Sequence, residues 1–157
     1  MSHTTRATQF LKQQSIAFTL ASYDYDPDAA SIGLAAAAAL GAAPTRVLKT
    51  LMVLADGKPA CAVIPSDAEL SMKKMAAALG CKTAAMMKPD EAERITGYHV
   101  GGISPFGQKK RVPVILEETA LLQTSVYLNG GQRGLQIVMA PDDIIRALSA
   151  VAAAIIA

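Results

Sequence analysis

The sequence has no tryptophan, only 4% aromatic residues, two cysteines and a formal charge of just +2. Each shortage excludes something. With so few large rings, the core must be filled mostly by Ala, Leu, Ile, Val and Met, although the hydrophobic share still reaches 52%. A nearly neutral chain is not a broad nucleic-acid clamp; any polyanion is held at a few contacts. Cys61 and Cys81 fall in no CxxC or zinc spacing and read as free, buried thiols. No charged-then-apolar leader opens the chain, and the longest apolar tail, "ALSAVAAAIIA", is too short to span a bilayer. The expectation is a reduced, cytoplasmic protein with no membrane partner. GxSxG, HExxH and Walker patterns are also missing, and the carboxylates show no persuasive pairing. No metal and no cofactor is therefore expected.

What is present suggests one domain over residues 1–157, long enough to bury roughly 68–70% of its unfolded surface. Thr4 to Gln14 is helical in composition, with an apolar stripe at Ala7, Phe10 and Leu11. "SIAFTLASYDY" alternates like a strand. Ser31 is placed to cap an alanine-rich helix that stops near Gly41, and Ser71 to cap another that stops at Gly80. Between them, Asp56-Gly57 divides two apolar runs and predicts a β-hairpin. Pro89, Asp90 and Glu91 look like a helical first turn. Strands follow at "VPVIL", "SVYL" and "LQIVM", the last two joined by "NGGQRG". A final helix opens at Pro141, with apolar positions Ile144, Ile145, Leu148 and Val151. Helices scattered among hairpins predict a mixed α/β domain, with a central, largely antiparallel sheet flanked by helices.

Two features invite chemistry. Lys49 lies in "VLKTLMVL", which is apolar on both strand faces, so it either performs work in a buried setting or snorkels from the strand mouth. Spacing leaves both readings open. The second feature is "GGISPFG", Gly101 to Gly107. Successive N–H groups of a Gly-Gly turn can converge on an anion or a polarised carbonyl, and Pro105 stiffens the exit; a plain structural turn is the competing reading. Tyr98 walls a pocket or fills core. His99 lacks an evident Asp or Cys partner and reads as non-catalytic. Lys109, Lys110 and Arg111 form a short basic run beside the loop, a solvated surface or a place for a phosphate backbone.

"VLKTLMV", "TGYHVGGISPFGQKKRVPVILEE" and "VYLNGGQRGLQIVMAPDDI", in that order, resemble the YbaK/EbsC family. These are Cys-tRNA(Pro) deacylases related to the editing domain of bacterial prolyl-tRNA synthetase. The resemblance implies a mixed sheet flanked by helices that acts in trans on the 3′ acceptor end of mischarged tRNA, with prolyl-tRNA synthetase as a candidate partner. It implies that Lys49, Gly101 and Gly102 are the catalytic positions, Lys49 contacting a terminal phosphate and the loop through Ile103, Ser104 and Pro105 holding the aminoacyl ester. Tyr98, Ile32, Asn129 and Gln136 are implied at the substrate. In Cys-specific members the substrate's own thiol attacks its ester, which explains the missing triad. Ile32 stands where such proteins often carry an aromatic residue, Asn129 where serine is common, and Gln136 where an acidic residue is frequent. The competing function is a non-catalytic module of the same fold that grips a tRNA end or a nucleotide.

Overall fold

The computed structural model describes residues 4–157. In chain order its regular elements are α1 (Arg6–Gln13), β1 (Thr19–Ser22), α2 (Ile32–Leu40), β2 (Leu48–Ala55), β3 (Lys58–Pro65), α3 (Met72–Leu79), β4 (Ala84–Met86), α4 (Pro89–Thr96), β5 (Val114–Glu117), β6 (Val126–Asn129), β7 (Leu135–Met139), α5 (Pro141–Leu148) and β8 (Val151–Ala153). The strands form a larger sheet ordered β4-β2-β3-β5-β8 and a smaller one ordered β1-β7-β6. β3–β5 and β5–β8 pair in parallel, and the other four pairings are antiparallel. The mixed, largely antiparallel expectation is met, with two sheets in place of one.

Local chemistry accounts for most element ends. Thr5 caps α1 in a reciprocal box with Thr8, and Ser31 and Ser71 accept the Leu34 and Lys74 N–H groups. Each such cap contributes about 1 kcal/mol. Gly41 and Gly80 end their helices in the left-handed conformation. The β2–β3 hairpin turns through Asp56 and Gly57 alone, both at positive φ (47° and 82°), as the two-residue loop demands.

Side chains of the hairpin alternate between two cores. Leu48, Met52, Cys61 and Val63 face one, together with Leu116, Phe106 and Ile137. Val53, Ala60, Ala62 and Ile64 face the other, with Met75 of α3 and Ile155. Period-two burial on both sides is why β2 reads as almost continuously apolar.

One expectation fails at the C-terminal end. The sequence spacing places Val151 on the helical stripe of α5, but Ser149 adopts φ 51° and closes that helix. Val151 instead begins β8, pairing in parallel with Ile115. The reason is tertiary. The buried Glu117 carboxylate accepts the Ile155 N–H at 2.9 Å and draws this segment onto the edge of β5. β4, in "KTAAMMK", is likewise a strand only because β2 offers it an edge.

Candidate active site

The two sheets meet where Val47, just before β2, bridges Tyr127 of β6. A cleft of about 280 Å³ opens at this seam. Its walls come from the N-terminal turn of α2, the start of β2, the residues before Ile103, and the β6 and β7 strands. Ile32, Lys49, Gly101, Ile103, Asn129 and Gln136, six of the ten sequence-predicted site residues, line it. Lys49 is half-buried on the β2 strand and lines the cleft.

The other four lie behind or beside the cleft. Tyr98 is buried and its hydroxyl donates to the Phe106 carbonyl, so it braces the loop from within the core. Burial pushes that hydroxyl up to about 12, against the opposing charge of Arg6. Ser104 is fully buried and its Oγ accepts the Phe106 N–H at 3.3 Å. Pro105 faces a different cavity, beside α1. Gly102 spends its N–H on the His99 carbonyl at 2.8 Å. A Cβ on it would stand 3.0 Å from the Arg133 backbone nitrogen, so it is glycine to let the β6–β7 turn pack close.

Gly101 differs from its neighbour. It sits at φ 89°, and a Cβ there would meet the Tyr25 hydroxyl at 2.6 Å. Its N–H has no acceptor among the described residues. Its carbonyl accepts from Asn129 Nδ2 at 3.0 Å, while Asn129 Oδ1 accepts the Gly131 N–H at 2.8 Å. Both ends of the Asn129 amide are therefore committed to joining the glycine loop to the β6–β7 turn. Arg133 adds a second tie, donating to the Val100 carbonyl at 2.9 Å with its guanidinium over the Tyr25 ring. Glu93 secures the other side by accepting the Val100 N–H at 2.8 Å, and it also pairs with exposed His99 at 3.5 Å.

The sequence reading missed Tyr23. It lines the cleft beside Gln136, which is only 4% exposed. Neither the Tyr23 hydroxyl nor Gln136 Oε1 makes a hydrogen bond of proper geometry, although both atoms are buried. Burial raises the Tyr23 pKa above the usual tyrosine value, opposed by the nearby Gln136 amide and Gly134 backbone. The alternation Thr19, Ala21 of β1, continued by Tyr23 just past its end, is the available signal, and it marks a face without saying what the face meets. Neither Cys61 nor Cys81 lines the cleft.

The fold is shared with a solved structure described as that of a candidate trans-editing enzyme for prolyl-tRNA synthetase. The two are 20% identical and superpose with a TM-score of 0.84 over 97% of this chain and 95% of the other. The model of the aminoacyl-tRNA editing domain matches residues 26–147, and the chain belongs to that family. EbsC of Enterococcus faecalis, provisionally named a Cys-tRNA(Pro)/Cys-tRNA(Cys) deacylase, is 34% identical over 142 residues, 90% of this chain and 86% of EbsC. A proline–tRNA ligase from a Geobacter species is 37% identical over 81 residues, which is 52% of this chain and 14% of the ligase. Among the described residues no helix is long and apolar enough to cross a membrane.

Proposed function

We infer that the protein is an aminoacyl-tRNA deacylase whose cleft hydrolyses the ester of mischarged Cys-tRNA(Pro), with Cys-tRNA(Cys) and other small-residue tRNAs as further substrates. The observation that carries this reading is the Tyr23 hydroxyl and Gln136 Oε1, buried close together without a hydrogen bond of proper geometry, in a cleft that Lys49 also lines. Leaving a buried polar group unpaired costs about 1–3 kcal/mol. Such a deficit is sustained where a ligand supplies the partner. An aminoacyl group offers an α-amino donor and a short side chain that suit these two atoms.

Lys49 takes the terminal phosphate, and the N–H of Gly101 polarises the ester carbonyl. Ile32, Ala36, Val47 and Leu51 form an apolar wall sized for a small side chain. The aminoacyl ester is already activated, so positioning carries much of the barrier reduction. With a cysteinyl ester, the substrate sulfur bonds to the carbonyl carbon, the C–O bond breaks and the departing 3′ oxygen takes a proton. Water then opens the thioester. Neither protein thiol is needed. Residues 1–157 act as one unit, and prolyl-tRNA synthetase supplies the tRNA selection that a net charge of +2 leaves weak.

The test is deacylation of Cys-tRNA(Pro), Ala-tRNA(Pro), Cys-tRNA(Cys) and Pro-tRNA(Pro) by the purified protein. Cys-tRNA(Pro) should be cleared fastest and Pro-tRNA(Pro) spared. Binding of all four without turnover of any would overturn the reading in favour of a non-catalytic tRNA-end module.

A further inference from the structure

A second cavity, of about 310 Å³, lies on the far side of the glycine loop. The loop is a shared wall: Gly101 and Ile103 line the cleft, whereas Pro105 and Gly107 line this cavity. Phe10, Val112 and Leu148 provide apolar surface, Gln9 and Gln108 provide amides, and Arg6 and Arg111 provide charge. No carboxylate lines it. Arg6 and Arg111 are exposed, as are Lys109 and Lys110, and none of the four belongs to an ion pair among the described residues.

The cavity is preformed. Gly107 packs so tightly on α1 that a Cβ would stand 2.6 Å from the Arg6 carbonyl oxygen. The basic tract is fixed as well, because the Lys109 and Lys110 N–H groups donate to the Thr96 and Ile95 carbonyls at 2.8 and 3.1 Å. These carbonyls close α4, the end of a helix that favours positive charge. One face of the Phe10 ring packs against Phe106 at a centroid distance of 6.3 Å.

Gln108 Nε2 is committed to the Ser104 carbonyl at 3.0 Å, which leaves its carbonyl and the exposed Gln9 amide for a base edge. An aromatic ring, such amide groups and guanidinium groups outside any ion pair are the features that hold single-stranded nucleic acid. The volume falls within the range of small-ligand sites. We propose that this cavity is a second nucleotide subsite, holding an unpaired nucleotide upstream of the terminal adenosine, with the base on the Phe10 side and its phosphate at Arg6 and Arg111. The RNA strand would leave the cleft, cross the loop and enter the cavity. This rests on the editing reading of the cleft and extends it to the RNA that precedes the ester.

The test uses two esters and one uncharged RNA. Cysteinyl adenosine reaches only the cleft, whereas Cys-tRNA(Pro) spans both sites. For Arg6→Gln with Arg111→Gln, KM for Cys-tRNA(Pro) should rise about tenfold and its salt dependence should flatten by one to two phosphate contacts. Its kcat and the hydrolysis of cysteinyl adenosine should stay within about twofold, since the chemistry is untouched. Equal loss on both esters, or no loss on either, overturns the subsite. If the wild type hydrolyses neither ester, the editing reading fails by itself. The affinity of uncharged tRNA then decides the subsite, and equal affinity for wild type and variant overturns it. Unchanged RNA affinity together with lost association with prolyl-tRNA synthetase would reassign the surface to an acidic protein partner.

Discussion

Asn129 Nδ2 donates to the Gly101 carbonyl at 3.0 Å, across 28 residues of sequence, and this bond fastens the glycine loop to the β6–β7 turn. The same side chain receives the Gly131 N–H, so one amide fixes both partners. Asn129→Ala should lose about 1–2 kcal/mol of stability through the unmade bonds. Asn129→Asp keeps the acceptor for Gly131 but turns a carboxylate toward the Gly101 carbonyl. It should melt closer to wild type than the alanine variant yet deacylate more slowly. Paired thermal melts and initial rates check this, and an aspartate variant with full activity would show that the tie does not set the loop.

Lys49→Met keeps the aliphatic stem and removes the charge. Deacylation should fall by at least about tenfold, the loss expected for one charge-assisted phosphate contact, and the salt dependence should flatten by about one. The melt should not move, because a half-buried lysine at a strand mouth has little packing to lose. Lys49→Arg should recover only part of the rate. Wild-type kinetics in the methionine variant would reduce Lys49 to a surface residue.

The thiols should differ in reactivity and matter little to turnover. Cys61 is fully buried and its thiol is pushed up to about 12 by burial, so it stays protonated and inert at neutral pH. Cys81 is half-buried, its Sγ facing the Thr83 carbonyl at 3.4 Å. Brief native alkylation followed by mass spectrometry should find an adduct at Cys81 and none at Cys61. The double Cys→Ser variant should lose about 1–3 kcal/mol, chiefly at Cys61, while its folded fraction still deacylates.

Glu117 supplies a pH signature. Burial alone would raise its pKa, but hydrogen bonds from Thr119, Ile155 and Ile156 outweigh it and leave the value lowered. A lowered folded value means that the stabilisation is complete above the unfolded glutamate pKa of about 4.3 and is lost as pH falls through the folded value. Glu117→Gln should destabilise the protein by about 1–3 kcal/mol at pH 7, with the gap to wild type closing on acidification. Melts from pH 7 to 3 measure it. A gap that stays constant would mean the carboxylate charge contributes nothing.

Features written in local chemistry are legible in the sequence. The Asp56-Gly57 turn, the serine caps and the left-handed glycines each depend on a few adjacent residues. β8 was not legible, because Val151 continues the spacing of α5 and only the edge of β5 and the Glu117 carboxylate convert it to a strand. Within the site, the motif marked Lys49 and Gly101, which the structure brings to one cleft. It could not separate Gly101 from Gly102, since what distinguishes them is contact with Tyr25 and with the Arg133 backbone, both far away in sequence. Tyr98 was ambiguous for the same reason: an apolar body with a polar tip suits a cleft or a core, and the Phe106 carbonyl decides.

The wall that α2 lends to the cleft has a consequence for how such a protein changes over generations. Ser31 and Ala36 contribute small side chains there, Gly33 contributes none, and Ile32 is the bulky member among these α2 positions. Gly33 packs so closely that a Cβ would stand 2.9 Å from the Ser66 hydroxyl, so that position has no freedom to grow. If the cleft holds the acyl group as proposed, position 32 is the α2 site where selection for a different acyl group can act. Exchange at position 32 resizes the wall while the strands carrying Lys49 and Gln136 keep their register, and a lineage can shift its diet of mischarged substrates without rebuilding its frame.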